Sequence, residues 1–166
     1  MKRTGSLGKK QGLKKKKSLP RNKVTIHKKK KSPVQNLIKK TDDEFSLLIR
    51  VMGADKDGYV KCYTCDYKGY YKYGKIQCGH FRSRANLGVR WYIKNCKPQC
   101  YHCNAILKGN VEVFEANLIK EYGKQIIKEL NQLADSIVRL NIEQIQKIKA
   151  DANKQLGEIK QLKGII

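Results

Sequence analysis

Residues 62–65 read CYTC, residues 77–84 read QCGHFRSR and residues 95–104 read NCKPQCYHCN; how the chain folds turns on how these are read. Two Cys-x-x-Cys pairs, Cys62/Cys65 and Cys100/Cys103, bracket a histidine, His80, and several basic residues. Thiolates at this spacing suit one tetrahedral Zn²⁺, because a tight knuckle lets both sulfurs of a pair reach the same ion. Four sulfurs close the coordination shell, so the expected zinc is structural, and it supplies stability that a small core lacks. Cys78 and Cys96 fall outside the pairs. They are read as packing residues, with exchange into the metal site as the alternative.

Working outward, the 166-residue chain has a formal charge of +23 and an isoelectric point near 9.9. That balance points to a polyanion, most often DNA or RNA, whose condensed counterions are released on contact. No run of apolar residues is long enough to span a bilayer, and the basic start lacks the apolar stretch of a secretory signal. A cytoplasmic protein is therefore expected, one with reduced thiols that favour metal over disulfides.

Residues 1–40 hold KKKK twice, at Lys14–Lys17 and Lys28–Lys31, and no acid. Such a stretch buries too little apolar surface to offset its ordering entropy, and is read as a disordered, lysine-rich nucleic-acid arm. Thr41 with Glu44 makes a capping box, and Phe45, Leu48, Ile49 and Met52 recur at helical spacing to about Gly53. Tyr59–Lys61 reads as a short strand. The Tyr-rich stretch after Cys65 reads as irregular structure ending in a strand at Ile76–Phe81, with Val89–Tyr92 as the second arm of a hairpin and a helix starting near Cys100. Helices follow over 111–122, 124–138 and, opened by an Asn141/Gln144 capping box, from Ile142 onward. The expected fold is α+β: a small treble-clef, HNH-like ββα zinc domain at 41–123, C-terminal helices at 124–166, and the disordered basic tail at 1–40.

His80 is the candidate for chemistry. Imidazole titrates near neutrality and suits a general base that deprotonates water for attack on a phosphodiester; a core or phosphate-touching histidine is the bland alternative. Asn95 is available as a side-chain amide to orient the ring. Arg82, Arg84, Arg90 and Lys97 flank His80 and are expected to clamp phosphates from the hairpin surface.

EFSLLIR (residues 44–50), Cys-x-x-Cys, QCGHFRSR, the N-C-x-x-Q-C-x-x-C-N run and the GN that follows together resemble the NinG (Rap) family of bacteriophage recombination proteins, over about residues 41–123. The resemblance implies a zinc-containing, HNH-like, Mg²⁺-dependent endonuclease. Its implied substrate is branched DNA, namely Holliday junctions and D-loops, and it would act in the host cytoplasm. It gives His80 the place of the general base, Asn95 that of the middle HNH residue, and Asn104 that of the last, where many relatives have a second His that binds the cleavage metal. Many HNH nucleases have Asp before the first His, where this chain has Gly79. Symmetric cutting of a junction needs two active centres, so a homodimer is expected. The rival is a non-catalytic zinc-finger DNA-binding protein of the recombination machinery, and a third reading, an RNA-associated zinc protein, draws only on charge and finger.

Overall fold

A computed structural model of the chain describes residues 32–165; the expected basic arm up to residue 31 lies outside them. The first helix, α1 (Pro33–Met52), starts eight residues before the Thr41 box. Ser32 is its N-cap and exchanges hydrogen bonds with Gln35, while Pro33 takes the first helical position, where no N–H is needed. The Thr41 hydroxyl instead donates to the Leu37 carbonyl one turn back, as an interior threonine does. Residues 33–40, read from the sequence as part of the arm, are therefore helix.

Two small antiparallel sheets follow, so the chain is α+β. In the first, β1 (Tyr59–Lys61) pairs with β2 (Lys68–Tyr70), a strand hidden in the Tyr-rich stretch, and the turn between them carries the first cysteine pair. In the second, β3 (Ile76–His80) pairs with β4 (Cys96–Cys100), with Ile76 opposite Cys100 and His80 opposite Cys96. The second hairpin arm is thus Cys96–Cys100 and not Val89–Tyr92. Residues Leu87–Arg90 form a short helix, α2, whose Val89 carbonyl is claimed by the Asn95 side chain, which keeps the segment coiled inside the loop. The helix expected near Cys100 is one π-type turn, His102–Ile106; Cys100 itself ends β4, and its N–H donates to the Cys62 sulfur, while α3 (Val111–Tyr122) comes only afterwards.

The last helices are α4 (Gln125–Asp135), three residues shorter at its C-terminus than expected, and α5 (Ile142–Lys163), capped by Asn141 and Gln144 as the sequence indicates. Helix α5 lies along α1. Phe45, Leu48, Ile49 and Val51 share a buried cluster with Val60, Tyr71, Ile76, Ala152 and Leu156. Fully burying one such aliphatic or aromatic side chain contributes roughly 1.5–3 kcal/mol. The Lys163 ammonium fastens the two helices by donating to the carbonyls of Val51, Met52 and Ala54, at 3.0, 2.7 and 2.6 Å. A second cluster, Phe81, Phe114, Leu118, Ile126 and Leu130, sets α3 and α4 against the end of β3. Gly88 lets α4 come close to α2: a Cβ there would stand 2.2 Å from the Leu133 carbonyl oxygen. Among the described residues no helix is long and apolar enough to cross a membrane.

Candidate functional site

The β1–β2 turn and the end of β4 bring Cys62, Cys65, Cys100 and Cys103 together, with all four sulfurs within 4.8 Å of one another. The Cys65 and Cys100 sulfurs stand 3.7 Å apart. Thiolates about 2.3 Å from one zinc ion are about 3.8 Å apart in a tetrahedron, so this spacing fits such an ion. Backbone N–H groups point at the sulfurs, from Cys100 to Cys62 at 3.2 Å and from Cys103 to Cys100 at 3.4 Å. Burial opposes ionisation of Cys62, but the N–H groups of Cys100 and Thr64 and the Thr64 hydroxyl outweigh it and bring its thiol down to about 7. Burial, reinforced by the three neighbouring thiols, pushes Cys65 up to about 12. Ionised together the four would repel, and a divalent cation is the natural relief.

Around the other end of β3 lies a cleft of about 600 Å³, walled by Asp42, Gln77, Cys78, His80, Arg84, Arg90, Asn104 and Lys108 among others. His80 and Asn104, 24 positions apart in the chain, thus face one space. The His80 Nε2 lies 3.1 Å from the Arg90 carbonyl oxygen. A carbonyl can only accept, so Nε2 carries the proton and Nδ1 of the neutral ring keeps a lone pair. Burial holds the His80 pKa below the usual histidine value, helped by the Arg84 charge, against the pull of the Arg90 carbonyl and the Asp42 carboxylate. The Asn104 amide N–H donates to Gln77 Oε1 at 2.7 Å.

Asn95, fully buried, makes no bond to the imidazole it was expected to orient. Its Nδ2 donates to the carbonyls of Arg82 (2.9 Å) and Val89 (3.0 Å), and its Oδ1 accepts from the Arg82 N–H (2.7 Å). It therefore staples the 82–89 loop shut, and that loop presents the Arg90 carbonyl to His80. Asn95 is a positioning residue.

The four expected phosphate-binding cations part company. Arg84 lines the cleft with an exposed side chain. Arg90 is taken: its Nε and Nη2 grip the Asp42 carboxylate at 2.8 and 2.6 Å, and Trp91 Nε1 donates to the same carboxylate at 3.0 Å. Arg82 donates to Asn131 of α4 at 2.7 Å and stacks on Phe81. Lys97 alternates to the face of the hairpin opposite His80, where it donates to Glu121 and the Tyr122 hydroxyl, at 2.5 and 2.7 Å. Arg82, Arg90 and Lys97 are thus engaged by protein partners, Arg90 while also lining the cleft, and Arg84 is the one of the four there with no acid partner.

Sequence reasoning missed Lys108, Asp42 and Gln77. Lys108 is held at the cleft with a positive φ of 50°, between a π-type turn and Gly109, also left-handed. The Lys108-Gly109-Asn110 run is the part of this signal that the sequence carries. Asp42, between Thr41 and Glu44, reads in the sequence as an acid at a helix start and gives no sign of Arg90. The structure also accounts for Gly79: a Cβ there would stand 2.0 Å from Gln99 Oε1. Gln99 is fully buried, its amide N–H groups donating to Thr64 Oγ1 (2.9 Å) and the Gly109 carbonyl (2.7 Å), so it fills the room that an acid before His80 needs.

Protein ninG of Escherichia phage lambda is 25% identical over 140 residues, 84% of this chain and 65% of that protein. The matched region thus spans just under two thirds of that relative's length. No solved structure matches the chain. Residues 2–163 match the family described as "NinG: Bacteriophage Lambda NinG protein", and the chain belongs to that family.

Proposed function

We propose that the protein is a structure-selective DNA endonuclease that hydrolyses phosphodiester bonds in branched recombination intermediates such as Holliday junctions and D-loops. The observation that carries this reading is the cleft in which His80 meets Arg84, Lys108 and Asn104, its Nε2–H held by the Arg90 carbonyl. A neutral imidazole with one nitrogen pinned as donor and the other bearing a lone pair can take a proton from water as that water attacks phosphorus. Burial favours the neutral, base-competent ring. Arg84 and Lys108, neither bonded to an acid, offer cations to the phosphate oxygens. Zn²⁺ in the four-cysteine cluster would be structural, tying the β1–β2 turn to the end of β4 and so fixing the hairpin under His80. Host-cell cytoplasm and a dimer on the two arms of a junction belong to the same proposal.

Mg²⁺ fits poorly. Such ions are held through one or two carboxylates, phosphates and waters. The cleft's one carboxylate, Asp42, already serves Arg90 and Trp91, Gln77 Oε1 accepts from Asn104, and Gln99 fills the space beside Gly79. That leaves little beyond the Asn104 amide oxygen to hold the ion. This donor set favours the second reading, a zinc-dependent DNA-binding accessory protein that does not cut. Purified protein incubated with a labelled four-way junction, with and without Mg²⁺ or Mn²⁺, separates the two. Hydrolysis that drops about 10²-fold or more in His80→Ala supports the first; hydrolysis untouched by that change removes His80 as the base, and tight binding without hydrolysis establishes the second.

A further inference from the structure

The ladder that carries His80 also carries the two cysteines outside the four-sulfur cluster. Cys78 precedes His80 by two residues on β3, so both side chains leave the same face, and Cys96 stands directly across from His80 on β4. The two sulfurs and a ring nitrogen of His80 all lie within 4.8 Å of one another. Metal-binding histidines characteristically donate their other ring N–H to a carbonyl or carboxylate, and here the Arg90 carbonyl already takes the Nε2 proton at 3.1 Å, leaving Nδ1 its lone pair. The same carbonyl lies 3.8 Å from the Cys96 sulfur. Cys96 is buried, whereas Cys78 and His80 line the cleft, so the group opens on one side only.

We propose that Cys78, His80 and Cys96 form a second metal site, for a soft divalent cation such as Zn²⁺, with three protein ligands and a fourth position open to the cleft. Two thiolates and an imidazole are the donor types such ions prefer, and a three-ligand site leaves room for water or another ligand. Asp42 is not the fourth ligand, because Arg90 and Trp91 engage both of its oxygens. Loading releases the two thiol protons, so the ion's charge is matched by two thiolates, and the Arg50 guanidinium near Cys78 and that of Arg84 near His80 meet no added positive charge. A consequence for catalysis rests on the nuclease reading above: the bound ion takes the lone pair that a general base needs, so filling this site would silence cleavage.

Anaerobic titration of the metal-free full chain with Co²⁺ tests the site without reference to cleavage. Two equivalents per chain are expected, both with thiolate-to-cobalt charge-transfer absorption, falling to one in Cys78→Ala and in His80→Asn. Circular dichroism identifies any variant that has lost its fold, and His80→Asn, which keeps a polar side chain at the cleft, is the check if Cys78→Ala unfolds. One equivalent in the wild-type chain, or two surviving in the folded variants, overturns the site. On a cleavage-competent preparation, a second equivalent of Zn²⁺ should lower the junction-cutting rate at least tenfold, an effect absent from Cys78→Ala. A preparation that binds two ions but never cuts refutes the nuclease reading and leaves the site standing.

Discussion

Replacing Gly79 by alanine adds one methyl group, and the structure says where it goes. The new Cβ meets Gln99 Oε1 at 2.0 Å, Cδ at 2.6 Å and Cγ at 2.8 Å, so the glutamine must leave. Overpacking of a dense interior costs about 1–3 kcal/mol. Displacing the amide also breaks its bonds to Thr64 and the Gly109 carbonyl, at about 1 kcal/mol each. We expect a loss of at least about 3 kcal/mol, which for a chain of this size lowers Tm by about 6–12 °C or more. Gln99→Ala alone should cost about 2–4 kcal/mol, because it strands the same partners and leaves a void. The double variant should then be no worse than Gln99→Ala, since the methyl enters the vacated space, a coupling of about 3 kcal/mol. Thermal denaturation of the four proteins at one fixed Zn²⁺ concentration closes the cycle. Wild-type stability in Gly79→Ala, or simple addition of the two costs, would refute the view that Gln99 excludes a side chain from the position before His80.

Four further outcomes are expected. Cys65→Ser, or chelation of the wild-type chain, should unfold the β1–β2 turn and the end of β4, seen as lost hydrogen-exchange protection at Cys62 and Cys100 and restored by Zn²⁺ only in the wild type. Asn95→Ala removes three buried hydrogen bonds, costs about 3 kcal/mol by denaturant unfolding, and should raise exchange selectively over residues 82–90. His80 has a folded pKa below its unfolded value near 6.5, so the unfolded chain binds more protons as pH falls through and below that value. Its contribution to stability is present above pH 6.5 and lost below it, and urea midpoints of His80→Asn should fall less steeply with acid than those of wild type. Asp42→Asn takes the charge from a half-buried pair and leaves Arg90 uncompensated; a loss of about 3 kcal/mol is expected, and stability unchanged within error would remove the clamp from the account.

Much of this was readable in the linear chain because it depends on local chemistry. The paired cysteines announce a knuckle by spacing alone, and the Asn141/Gln144 box gives the start of α5. What escaped reading depends on partners distant in sequence. Ser32 and Gln35 outcompete the Thr41/Glu44 box because Pro33 is preset for a first turn, yet the lysines around them read as a tail. Asp42 has the look of a helix-start acid until Arg90 arrives from 48 residues away. Lys97 and His80 look like neighbours in a list of basic residues, but strand alternation sends them to opposite faces. Asn95 stands out in the linear chain as an amide near His80, whereas its bonds to the 82–89 backbone follow only from the closed loop.

The Lys163 ammonium, gripping carbonyls at the end of α1 from a position 112 residues further along, carries an implication for how the molecule assembles. Knuckles and hairpins can close over short loops, whereas this clasp joins segments from opposite ends of the described chain, and the entropy of so long a closure defers it. The expected order is metal knuckle first and helical clasp last. Pulse-labelled hydrogen exchange during refolding should therefore find the final turn of α1 protected only after β3 and β4.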